Sequence, residues 1–159
     1  MADTQHERFM REAIDLSWRN VREAAGGPFA ALVVRDGVVV GRGVNRVTST
    51  NDPTAHAEIV AIREACRALG SFQLEGCDMY TSCEPCPMCL GAIYWARPRM
   101  VYYGATRDDA AAIGFDDRFI YDEFLRHHEA RKIPHLQILH EEALTAFREW
   151  QASNTKNPY

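Results

Sequence analysis

Two short stretches carry residues whose types and spacing could do chemistry together: Thr54-Ala55-His56-Ala57-Glu58 and, farther along, Ser82-Cys83-Glu84-Pro85-Cys86-Pro87-Met88-Cys89. A catalytic zinc takes three protein ligands from imidazole nitrogen and thiolate sulfur and keeps its fourth position for water. His56, Cys86 and Cys89 supply such a set. Zinc lowers the pKa of bound water, and a carboxylate beside the site can take the released proton and pass it on. Glu58, two residues from His56, has the place of such a shuttle and is not read as a ligand. Each half has a plainer reading. A lone Cys-x-x-Cys serves redox pairs and structural zinc sites, and a lone His-x-Glu arises by chance. Cys83-Glu84-Pro85-Cys86 is itself Cys-x-x-Cys, so Cys83 could be the fourth ligand of a structural site, which would leave Glu58 unexplained.

The elements that must position these groups can be read from their flanks. Pro87 favours an early helical position, since its missing N–H is not needed there; Cys86 and Cys89 then share one face of a first turn and their thiolates gain from the helix N-terminus. His56 and Glu58 cannot share a face of a regular helix, so they belong at the start of one, after Asp52-Pro53-Thr54. That helix is expected to run to about Leu69, and the cysteine helix from Pro87 to Ala96. Ahead of them, Phe9, Met10, Ala13, Ile14, Leu16, Ser17 and Val21 predict an amphipathic helix between Thr4 and Ala25, ended by Gly26-Gly27-Pro28. Phe29–Val34 and Val38–Val40 joined by Arg35-Asp36-Gly37 predict a hairpin, and Gly41-Arg42-Gly43-Val44-Asn45 through Asp52 reads as a loop. Strands are expected at Asp78–Thr81, Met100–Tyr103 and Leu136–Leu139, and helices at Asp108–Ile113, Phe115–Leu125 and Glu141–Gln151. The alternation after Met79 implies βαβ crossovers and a mixed sheet with helices on both faces.

The chain has 159 residues and 47% hydrophobic composition, which suits one domain spanning 1–159. Its formal net charge is −4, its pI about 5.8, and no Lys/Arg run forms a phosphate-tracking patch, so nucleic acid is a disfavoured partner. No apolar run is long enough to span a membrane and the N-terminus is too polar for a secretory signal, which predicts a cytoplasmic protein with no membrane partner. Five cysteines, three of them within Cys83–Cys89, suit reduced thiols and metal binding better than a disulfide framework. Cys66 and Cys77 read as small core residues.

His-x-Glu followed by Pro-Cys-x-x-Cys resembles the signature of zinc-dependent nucleobase deaminases. Across nearly its whole length the sequence resembles the small bacterial guanine deaminases of the cytidine deaminase-like fold. The resemblance rests on Gly26-Gly27-Pro28-Phe29, on Asn51-Asp52-Pro53-Thr54-Ala55-His56-Ala57-Glu58, on Cys83 through Arg97, on Gly114-Phe115-Asp116-Asp117 and on the terminal tyrosine. It implies an α/β fold, a three-layer α/β/α sandwich with a mixed five-stranded sheet, one zinc per chain, and hydrolysis of guanine to xanthine and ammonia in purine metabolism. It implies a homodimer in which the C-terminal segment, about 141–159, is exchanged between subunits, so that Tyr159 reaches the neighbouring site.

By the same resemblance Glu58 and Asp117 are the catalytic carboxylates, and Phe29, Asn45, Ala57, Trp95, Asp117 and Tyr159 contact the substrate. The residues themselves leave other roles open. Phe29 could be core, Asn45 a turn former, Trp95 packing, Asp116 and Asp117 helix caps, and Tyr159 a frayed end. An ionised Asp117 is acceptor-only and matches the N1–H and 2-amino donors of guanine. Three rivals stand: a tRNA adenosine deaminase, which usually carries a basic surface; a guanosine deaminase sharing Gly114-Phe115-Asp116-Asp117; and a structural-zinc interaction protein, which needs neither Glu58 nor Asp117.

Overall fold

The computed structural model describes residues 4–159. Helix α1 (Gln5–Arg22) starts where the sequence can cap it: the Thr4 hydroxyl accepts from the Glu7 amide and the Glu7 carboxylate accepts from the Thr4 amide. Phe9, Ala13, Ser17 and Asn20 form its buried face. The helix stops before the expected Ala25, since Ala24 takes a positive φ.

Strands β1 (Ala30–Arg35) and β2 (Val38–Val44) form the expected hairpin. Both turn residues, Asp36 and Gly37, have positive φ, the conformation that two-residue hairpins favour. β2 extends through Gly41-Arg42-Gly43-Val44, which the sequence reading took for loop. The glycines are there for helix packing. A Cβ on Gly43 would overlap the Ala57 carbonyl, and one on Gly41 would come 2.5 Å from the Ala61 carbonyl. Helix α3 (Ala57–Leu69) thus rests backbone-close on β2 along its Ala57, Ala61 and Ala65 stripe. A short helix α2 (Val47–Thr50), which the sequence did not signal, interrupts the loop between β2 and α3.

β3 (Cys77–Cys83) is buried throughout, pairs antiparallel with β1, and pairs in parallel with β4 (Met100–Ala105). The crossover between β3 and β4 is helix α4 (Pro87–Ala96). Among the described residues the sheet has four strands in the order β2-β1-β3-β4. Alternating side chains divide its faces. Leu32, Val34 and Tyr80 pack with Phe9 and Ala13 of α1, while Ala31, Val33 and Met79 pack with Ala57, Ala61, Ile93 and Ala96 of α3 and α4. The result is the expected α/β/α layering around a mixed sheet, with α3 and α4 following the ends of β2 and β3, which run the same way on either side of β1.

The expected fifth strand is not there. Leu136–Leu139 is irregular and ends on Leu139 in the left-handed region, and a strand exists only where a neighbour completes its hydrogen bonds. The chain divides after Asp117. The first unit also holds α5 (Arg107–Ala112), capped by the Thr106 and Asp109 side chains. The second, Arg118–Tyr159, holds α6 (Arg118–Leu125), a 3-10 turn at His128–Ala130 and α7 (His140–Ala152). No helix among the described residues is long and apolar enough to cross a membrane.

Candidate active site

His56 is the N-cap of α3 and Cys86 the N-cap of α4, both with extended backbone, so each side chain folds over its helix end. Pro87 fills the first helical position of α4 and Cys89 lies one turn on, its amide donating to the Cys86 sulfur at 3.5 Å. His56 Nδ1 lies 3.5 Å from the Cys86 sulfur and 3.5 Å from the Cys89 sulfur. With Zn–N of about 2.0 Å and Zn–S of about 2.3 Å, tetrahedral ligand atoms stand roughly 3.5 Å apart. The donor set therefore fits one tetrahedral zinc. Cys83 is not part of the trio. Its thiol donates to the Thr106 carbonyl at 3.5 Å, and burial pushes its pKa up to about 11.

The two sulfurs are electrostatically coupled. Hydrogen bonding from Cys89 and from His56, together with the Cys89 amide, brings the Cys86 thiol down to about 4. Its role as donor to Cys86, together with burial, pushes Cys89 the other way. The two opposite shifts are the two sides of one hydrogen bond, Cys89 donating and Cys86 accepting.

Glu58 sits in the first turn of α3, 8% exposed, with its carboxylate in hydrogen-bond reach of the Cys89 thiol. Burial raises its pKa, which suits a group that must both take and give a proton. Asp117 is half-buried; burial and the nearby Cys86 charge raise its pKa, and its charge is felt at His56. Glu58 thus stands against the ligand Cys89, and Asp117 lies within electrostatic range of His56 and Cys86.

Asn45 is buried just beyond β2, and its loop is tied to the start of α3 by the Arg46 amide donating to the Ala55 carbonyl. Its side-chain oxygen accepts from the Gly27 amide at 3.4 Å and the Val47 amide at 3.3 Å. Two donors at the oxygen leave the NH2 as the group Asn45 can offer a ligand. Phe29 is half-buried against the core and meets Phe115 edge-on, with ring centroids 4.9 Å apart. Ala57 is buried under Gly43. Trp95, 64% exposed, is turned away from the α4 face that buries Cys89, Ile93 and Ala96. Tyr159 ends the second unit, 72% exposed.

Two supports of the site carry no signal in the sequence. Arg107 clamps Glu84, its amide donating to Oε2 at 3.0 Å and its guanidinium to Oε1, which ties the cysteine loop to the start of α5. Asn20, at the end of α1, donates to the carbonyls of Gly27 and Asn45. Neither lies in a motif, and only three-dimensional proximity gives them away.

Residues 3–105 match the cytidine and deoxycytidylate deaminase zinc-binding region. The chain belongs to that family of zinc-binding deaminases. Within it, the chain is 52% identical over 154 residues to the guanine deaminase of Bacillus subtilis, covering 97% of this chain and 99% of that one. The crystal structure of the Bacillus subtilis guanine deaminase superposes with a TM-score of 0.95 over 97% of this chain and 98% of its own. A guanine deaminase structure from Nitrosomonas europaea is 36% identical, with a TM-score of 0.67 over 74% of this chain and 67% of its own. The tRNA-specific adenosine deaminase of Agrobacterium fabrum is 42% identical over 80% of this chain and 82% of its own.

Proposed function

We propose that this chain is a zinc-dependent guanine deaminase, hydrolysing guanine to xanthine and ammonia. The observation that carries the reading is how far the likeness reaches. The family region ends at residue 105, whereas the identity with the Bacillus subtilis guanine deaminase extends over 97% of the chain and takes in the Gly114–Asp117 stretch. The likeness to the tRNA deaminase is shorter and weaker, and a net charge of −4 suits a small base better than an RNA.

Zinc held by His56, Cys86 and Cys89 supplies the acidity that makes water a nucleophile near neutral pH. Glu58 takes the proton released as water oxygen adds to C2 of the purine and delivers it to the ring nitrogen. Glu58 then takes the second proton from the hydroxyl added at C2 and hands it to the departing amine as the C2–N bond breaks, so the oxygen stays on C2 as a carbonyl of xanthine. Asp117, as an ionised acceptor, holds the N1–H and 2-amino donors, and the Asn45 NH2 meets an acceptor of the ring, so the two together read guanine by opposite polarity. By resemblance to the family, Phe29, Ala57, Trp95 and Tyr159 are the remaining substrate-binding residues of this proposal.

The active form is a homodimer with exchanged C-terminal segments. What supports this is the apolar surface of Arg118–Tyr159, where Leu125, Ile133, Leu136, Ile138, Phe147 and Trp150 are all exposed. In this reading the segment from about 141 to 159 crosses to the partner and Tyr159 closes the partner's site. Free cysteines suit a reducing compartment, and the cytoplasm is where the reading places the enzyme.

Steady-state assay of zinc-loaded protein against guanine, guanosine, cytosine and adenine tests the function. Guanine is expected to give the highest kcat/KM, with stoichiometric xanthine and ammonia. A preference for guanosine would move the activity to the nucleoside, and turnover of adenine or cytosine alone would overturn it.

A further inference from the structure

The geometry points to Asn20 as a positioning residue for base recognition, one that acts through Asn45 and the Gly27–Phe29 turn. The inference rests on the guanine deaminase reading and extends it to helix α1. Asn20 is 4% exposed, and an amide buried so deeply is costly unless its groups are bonded. Its Nδ2 donates to the Gly27 carbonyl at 2.8 Å and to the Asn45 carbonyl at 3.0 Å. Only the nitrogen end of an amide can face two carbonyls, so the orientation of Asn20 is fixed by its partners.

Those partners are the backbone of the recognition residues. The Gly27 carbonyl also accepts from the Phe29 amide at 2.8 Å, and the Phe29 carbonyl accepts from the Asn45 amide at 3.0 Å. The Gly27 amide returns to the Asn45 side-chain oxygen. Asn20 thus closes a ring of hydrogen bonds that joins the start of β1 to the end of β2. The join is tight: a Cβ on Gly26 would overlap the Asn45 carbonyl and lie 3.2 Å from Asn20 Nδ2. Because the ring occupies the Asn45 oxygen, the Asn45 amide can present only its donor to a ligand. Freed from the ring, the amide can turn over and present its oxygen, and the site loses its discrimination for an acceptor at that position of the base.

A double-mutant cycle on guanine affinity separates this role from plain stability. Guanine binding is measured by calorimetry in the zinc-loaded Glu58→Gln protein, for Asn20→Ala, Asn45→Ala and the pair. Ser17→Ala, one turn earlier on the same buried face, with its hydroxyl donating to the Ile14 carbonyl, is the control. Asn20→Ala is expected to weaken guanine about tenfold with Asn45 present and less than about threefold with Asn45→Ala, as for a hydrogen bond mis-set through one partner. In the Glu58-bearing enzyme KM is expected to rise more than kcat falls. Equal losses in both backgrounds, or a loss no larger than that of Ser17→Ala, would overturn the inference. Should Asn20→Ala fail to fold, Asn20→Ser, which keeps one donor, takes its place in the cycle with the same criteria. If the unmodified enzyme gives no xanthine from guanine, the activity reading fails first and this inference falls with it.

Discussion

At the scale of single residues, the chemistry turns on which side chains carry charge and which carry protons. Cys86 and Cys89 are ligands in this reading, so Cys86→Ala is expected to hold well under one zinc per chain by metal analysis, and a full equivalent would contradict the assignment. Asp117 makes a sharper case, because function and stability pull it in opposite directions. Burial, then the Cys86 charge, raises its folded-state pKa above its ordinary value. The folded protein therefore binds this proton more readily than the unfolded chain, and the stability so gained is present below the ordinary carboxylate pKa and lost as pH rises through the raised value. Asp117→Asn is expected to match or exceed the parent in Tm at neutral pH, with the difference closing in acid, while guanine turnover falls on the order of 10²-fold or more. Collapse of Tm with activity per folded molecule retained would make Asp117 a structural cap. The placement of His56, Glu58, Cys86 and Cys89 at two helix starts was legible in the sequence because metal chemistry restricts residue type and the capping rules fix their spacing locally. Asn20 and the orientation of Asn45 were not, because their hydrogen bonds join residues far apart in the chain.

At the scale of elements, α3 and α4 were legible down to their first residues, since capping and proline placement are local rules. β2 was cut short because Gly41 and Gly43 read as turn formers, whereas their work is to let α3 approach the strand. The approach sets where His56 and Glu58 stand. Gly43→Ala is expected to push the start of α3 away from β2, costing about 1–3 kcal/mol by urea unfolding and weakening zinc retention against a chelator. A Gly43→Ala protein with parental stability and zinc affinity would show that the close packing does not position the site. Leu136–Leu139 misled in the opposite direction. Four apolar residues satisfy a strand pattern, but only pairing makes a strand, and pairing is not written in the segment itself.

At the scale of the whole molecule the open matter is the C-terminal segment. A polar tail ending in Asn157-Pro158-Tyr159 suits a closing role, because a tyrosine offers apolar area with a hydroxyl at its tip and a closed site excludes water. In the proposed homodimer, deleting Asn157–Tyr159 is expected to leave subunit association and zinc intact while raising KM, lowering kcat, or both. Mixing that truncation with full-length Glu58→Gln is the informative experiment. In an exchanged mixed dimer the site with an intact Glu58 belongs to the truncated chain and receives the other chain's tail, so activity is expected to rise above that of either variant alone. No gain after subunit exchange would mean that the tail serves its own chain or no site.

The central claim is that a zinc held by His56, Cys86 and Cys89 works with Glu58 as proton shuttle to remove ammonia from guanine. Its most direct test is ammonia release from saturating guanine by the parent and by Glu58→Gln, each verified at one zinc per chain and equal folded fraction. The amide keeps the shape of the side chain but cannot carry the proton, so kcat is expected to fall on the order of 10²-fold or more with zinc unchanged. Turnover within a few-fold of the parent, at full zinc, would contradict the account.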